Sequence, residues 1–146
     1  MDTSEIEARS VRFREAITSV PRSNFPWNSS MGISQFPSGC CGDASQTLAT
    51  YLHSELGIVC DYVHGEKGGK NNEIGSHAWL EIEGIVIDIT ADQFNDRGYN
   101  LHNVYVGPKT DWYESFETSV TKDGRHTSLS DKGSLEAVYA AISQKL

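Results

Sequence analysis

Two short apolar runs that face each other across Glu83-Gly84 limit this chain more than any other stretch. Ala78, Leu80 and Ile82 alternate with other residues before the break, and Ile85, Ile87 and Ile89 do so after it. A period of two belongs to β-strands, and a two-residue break ending in glycine is a hairpin turn signal. With that turn, Ile82 pairs with Ile85, Leu80 with Ile87 and Ala78 with Ile89, so one face of the ribbon is wholly apolar and must lie on a core. The other face carries His77, Trp79, Glu81, Val86, Asp88 and Thr90 and is expected to be polar. Asp88 then stands opposite Trp79 and diagonal to His77, at a backbone separation of roughly 7 Å, within reach of two side chains that point toward each other. A slip of one residue would send His77 and Asp88 to opposite faces, so their meeting depends on the apolar alternation alone.

An isolated hairpin is not stable in water, and helices are the natural cover for its apolar face. Ala44, Leu48, Leu52 and Leu56 recur at helical spacing and stop at Gly57, a residue suited to end a helix. Cys41 extends the stripe backwards, while Pro37, Ser38 and Gly39 break regular structure before it. The thiol of Cys41 is therefore expected in the first helical turn on the packed side, near free N–H groups and the positive end of the helix dipole, where a thiolate is favoured. Cys40 lies about 100° away around the helix. Before this stretch, Ile6, Val11, Phe13, Ile17 and Val20 suggest a first helix over 4–19, capped by Thr3 or Ser4. Residues 21–40 read as an irregular segment holding Phe25, Trp27 and Phe36, aromatics that could line a cleft. Residues 58–64 and 104–106 read as strands, 65–73 as a glycine-rich loop, 109–116 as an aromatic connection and 118–133 as polar turns. A last helix is expected to start at Ser134 as its cap. The pattern predicts a single α+β domain over 1–146, with helices, the Cys41 helix among them, on a small antiparallel sheet.

Composition narrows the functional classes. A hydrophobic fraction of 38% in 146 residues supports a proper core. A net charge of -8 argues against a general nucleic-acid-binding field, and the apolar runs are too short for a membrane span. The N-terminus lacks the basic and apolar regions of a signal peptide, which points to the cytoplasm, or to an effector delivered by other means. Three cysteines, two of them adjacent, make a poor disulfide framework and fit reduced thiols. The glycines of 65–69 form no phosphate loop, because neither a Ser or Thr after the lysine nor a helix pattern follows. No cofactor is expected.

Cys41, His77 and Asp88 supply a nucleophile, a base and an orienting carboxylate, in that chain order. An imidazole held by a carboxylate keeps one tautomer and stays basic enough to take a proton from a thiol. His53 lies about 18 Å along the helix from Cys41, and His64 has no carboxylate paired to it by register. A metal module using Cys40, Cys41, Cys60, His64 or His77 is an alternative, although these residues lack the Cys-x2-Cys or His-x3-His spacing of tetrahedral sites.

The run Cys41, then Gly57-Ile58 into a strand, then His77-Ala78-Trp79-Leu80-Glu81, then Ile87-Asp88-Ile89-Thr90 resembles the core of the transglutaminase-like group of the papain-like superfamily. The resemblance spans about residues 35–95. It implies a cysteine protease, glutamine deamidase or transglutaminase acting on a protein or peptide through a Cys41 thioester, with His77 and Asp88 completing the triad. It also implies that Gln35, six residues before Cys41, donates to the oxyanion. Trp79 and the loop residue Trp27 are candidates to line a substrate cleft. Gly42 departs from the pattern, since these enzymes usually carry an aromatic side chain there. The chain is also too short for the added domains of the large transglutaminases. A degenerate member of the fold that only binds a partner protein is a further alternative.

Overall fold

The computed structural model describes residues 2–128 and 133–146. In chain order its helices are α1 (Thr3–Ser19), α2 (Ser30–Ile33), α3 (Cys41–Leu56), α4 (Asp111–Glu114) and α5 (Gly133–Ser143). Its strands are β1 (Asp61–Gly68), β2 (Ile74–Ile82), β3 (Ile85–Asp88), β4 (Tyr105–Pro108) and β5 (Glu117–Thr121). The strands form one five-stranded sheet in the order β4-β3-β2-β1-β5, antiparallel throughout. The architecture is α+β, with helices packed on a small antiparallel sheet.

The β2–β3 hairpin has the register that the alternation predicts: Ile82 pairs with Ile85, Glu81 with Val86 and Leu80 with Ile87. Glu83 and Gly84 both take positive φ, 48° and 78°, as a turn whose twist matches the strands requires. Across the apolar face lies α3. It ends on Gly57 at φ 69°, whose N–H bonds the carbonyl of His53, and its Ser45 hydroxyl donates to the carbonyl of Ala78 on β2. Leu80, Ile87 and Ile89 from the sheet pack there with Phe13 and Ile17 of α1, Leu48 and Leu52 of α3, and Val138 and Ile142 of α5.

The opposite face is not polar, as the sequence pattern suggests, but a second core. Trp79 and Val86 are 0% exposed and join Val63, Ile74, Phe94, Tyr113 and Phe116. A 3-10 helix at Ala91–Arg97 brings Phe94, and α4 with the residue pair after it brings Tyr113 and Phe116. The sheet is thus covered on both sides.

Several boundaries differ from the sequence reading. The cap of α1 is Asp2, whose carboxylate accepts the N–H of Ser4 at 3.0 Å. Strand β1 begins later and runs to Gly68, which pairs with Ile74 of β2 in the same register as Glu66 with Ser76. His64 therefore lies within the strand, between Ala78 and Ser119, not at its end. β5 occupies part of the stretch that reads as turns. It is exposed along its length and pairs on one side only, so no apolar alternation marks it. Ser134 lies inside the first turn of α5; residues 129–132, the rest of that stretch, are outside the described residues. Among the described residues no helix is long and apolar enough to cross a membrane.

Candidate active site

Cys41 is the first residue of α3 and is half-buried, whereas Cys40 and Cys60 are both 0% exposed. The Cys40 thiol contacts the carbonyl of Ser30 at 3.6 Å, and burial, reinforced by Asp43 and Cys41, pushes it up to about 12. Burial and the nearby Asp61 do the same to Cys60. Of the three thiols, only Cys41 is open to a reagent.

His77 projects from β2 at a point where its neighbour on β1 is Gly65. A Cβ at Gly65 would lie 2.8 Å from the Phe116 side chain, so this glycine admits the ring that closes over the histidine. Trp79, Phe94, Trp112 and Phe116 surround the imidazole, with ring centroids 5.6, 5.1, 5.7 and 6.3 Å away. Nε2 and the Asp88 carboxylate are 2.7 Å apart, both side chains fully buried. The carboxylate accepts, so Nε2 carries a hydrogen. The other nitrogen, Nδ1, is buried and has no hydrogen-bond partner among the described residues.

Asp88 is held from four directions. One oxygen faces His77 and accepts the Tyr113 hydroxyl at 2.9 Å; the other accepts the N–H of Thr90 at 2.9 Å and its hydroxyl at 3.4 Å. Burial alone would drive this carboxyl up, but His77, the Thr90 amide and the Tyr113 hydroxyl hold it below the ordinary carboxylate value. Burial likewise opposes charge on His77. The attraction and hydrogen bond of Asp88, aided by Cys41, overcome it and raise the imidazole to about 9. The Tyr113 phenol is driven upward by burial and by the adjacent carboxylate, so it stays a donor.

The loop after Asp88 is pinned as well. Arg14 of α1 makes a two-pronged bond to Asp92 at 2.7 and 2.8 Å and donates to the carbonyls of Ile89 and Asn103. A second histidine–carboxylate pair, His126 with Glu136 at 2.9 Å, behaves oppositely: burial lowers this imidazole and its exposed partner does not compensate. His126 also bonds Thr50 of α3 and so ties the 126–128 turn to two helices.

The fold bears on three sequence expectations. Gln35 is exposed in a groove with Ile17, Val20, Phe25 and Phe36, a groove that includes none of Cys41, His77 and Asp88. Trp27 is 85% exposed in a shallow depression with Arg22 and Phe25, also apart from these three. Trp79 cannot line an open cleft, because it is wholly buried behind His77 with its indole N–H bonded to Glu81 at 2.8 Å. Sequence reasoning missed Tyr113, Phe94, Trp112 and Phe116, which no local pattern links to His77. Thr90 was legible: Asp-x-Thr is the spacing at which an aspartate accepts the N–H two residues on.

Among the described residues no group of three or more His, Cys, Asp or Glu side chains converges as a metal-binding set. Comparisons with protein-family models, curated proteins and solved structures give no match for this chain.

Proposed function

We propose that this chain is a thiol-dependent hydrolase or acyl transferase that forms a Cys41 thioester from an amide or isopeptide carbonyl of a protein or peptide. The observation that carries this reading is the fully buried His77–Asp88 pair, 2.7 Å apart, with Nδ1 of the same ring left without a partner among the described residues. In the proposed cycle, the neutral form of His77, which gains population as the pH approaches about 9, takes the thiol proton at Nδ1 and the sulfur adds to the carbonyl carbon. His77 then returns the proton to the departing amine. Asp88 keeps Nε2 protonated and balances the charge of the imidazolium. The aromatic enclosure supports the same reading, since it fixes the ring and keeps water from weakening the pair. His77 is itself 0% exposed and Asp88 1%, so half-buried Cys41 is the member of the three that stands at the surface.

This arrangement agrees with the resemblance to the transglutaminase-like group of the papain-like superfamily. The test is intact-mass analysis of a glutamine-rich protein mixture after incubation with wild type and with Cys41→Ala. Cleavage, a +1 Da gain or a cross-link that depends on Cys41 is expected, and each names its own branch: protease, deamidase or transglutaminase. If neither wild-type products nor an acylated Cys41 form, the chain is better read as a partner-binding module of the same fold.

A further inference from the structure

We propose that the phenol of Tyr62 is a catalytic residue that donates a hydrogen bond to the oxyanion formed when Cys41 adds to a carbonyl. This rests on the thiol chemistry proposed above. The donor that resemblance suggests, Gln35, is exposed in a groove with Phe25 and Phe36, and the fold brings a second candidate to the nucleophile's helix. The residue after the nucleophile shows how. A Cβ built on Gly42 would lie 3.3 Å from the Tyr62 hydroxyl oxygen and 4.0 Å from Gln46 Nε2. The absent side chain is what lets a phenol from β1 settle on the first turn of α3.

Tyr62 is well placed to serve. Its backbone is fixed between Leu80 of β2 and Thr121 of β5, and its half-buried ring packs against the helix-side core. The Gln46 amide, one turn along α3 from Gly42, lies near the same point as the phenol and acts against its upward shift, as a donor to the phenol oxygen does. Burial, and after it the neighbouring Cys41, pushes the phenol's ionisation upward, so it remains protonated as a donor must.

In the step itself, the Cys41 proton moves to His77 Nδ1 and the sulfur bonds the carbonyl carbon. The C=O π pair moves to oxygen, which accepts the Tyr62 O–H without removing its proton. Collapse re-forms C=O and breaks the bond to the leaving group, which takes the proton from His77. A thioester remains on Cys41.

Two probes isolate this role. p-Nitrophenyl acetate acylates a thiol through a tetrahedral oxyanion, whereas iodoacetamide alkylates it by direct displacement with no oxyanion. Tyr62→Phe keeps the ring and is expected to slow acylation about 10²-fold, with alkylation unchanged. Gly42→Ala is expected to raise the melting temperature, since alanine is the better helix former, while slowing acylation because its Cβ displaces the phenol. Equal slowing of both probes in Tyr62→Phe, or no slowing of either, overturns the assignment and leaves Cys41 as nucleophile. Acylation that is the same in wild type and Cys41→Ala overturns the nucleophile reading and this one together.

Discussion

The helix-facing side of the sheet is covered by long elements of 17, 16 and 11 residues, α1, α3 and α5, which meet it mainly with aliphatic side chains. The other side is covered by a seven-residue 3-10 helix and the four-residue α4, which meet it with aromatic rings. Few residues suffice there because each aromatic ring buries a large area. The first side is a conventional apolar core. The second holds a buried imidazole and carboxylate, His77 and Asp88, in a water-poor enclosure where their attraction is strong and where leaving either unpaired would be costly. The lesson is that the long helices of one face carry the main core, with Cys41 at the start of α3, and the short aromatic cover of the other encloses the His77–Asp88 pair.

The comparison breaks most visibly with one large truncation on each face. Leu52→Ala is expected to cost about 2–5 kcal/mol and Trp79→Ala about 3–5 kcal/mol in urea melts. Only Trp79→Ala should also shift the downfield imidazole N–H resonance of His77. An equal shift from Leu52→Ala would mean that the two faces are not separable.

Asp88→Asn comes next. A carboxylate on an open polar face could be exchanged for an amide at little cost, but Asp88 accepts from His77, Tyr113 and the Thr90 backbone at once. An amide must turn an N–H toward one of those donors, which is expected to cost about 1–3 kcal/mol, together with a fall of about 10²–10⁴-fold in Cys41-dependent turnover. Full stability in the variant would show the aromatic face to be looser than its hydrogen bonds imply.

The charge on the pair gives a pH signature. Because the fold raises the imidazole value, His77 contributes stability in full below about pH 6.5. That contribution is lost as the pH rises through about 9. Asp88, held low, contributes above the ordinary carboxylate range and loses this as the pH falls through its folded value. The stability difference between wild type and His77→Gln, followed by urea melts from pH 6 upward, should therefore shrink with rising pH. A difference that stays constant would mean that the pair is neutral.

The smallest effect is expected from Tyr113→Phe, which removes one of the four bonds to Asp88 and keeps the packing. About 0.5–1.5 kcal/mol should be lost in thermal melts, and the His77 resonance should broaden while the helix-side core is unaffected.

How far the site was readable follows from the same contrast. The hairpin register was legible because a period-two apolar pattern admits one pairing that buries it, and that register brings His77 to Asp88. α3 and the position of Cys41 at its start were legible because apolar spacing, Pro37–Gly39 and Gly57 all mark one helix. Asp2 as a cap, the reach of β1 and the existence of β5 were not, since exposed or glycine-rich segments leave little periodic trace.

Sequence alone determined which residues lie on which face of each element, because side-chain period is set by local backbone geometry. Only the tertiary structure decided what covers each face. Tyr113 and Phe116 reach Asp88 and His77 from 25 and more positions away, Tyr62 of β1 reaches Gly42 of α3, and Gln35 opens into a groove with Phe25 and Phe36. Such meetings depend on how loops close over the sheet, and a loop's path is set by the sum of many weak contacts between distant residues, which no local spacing records.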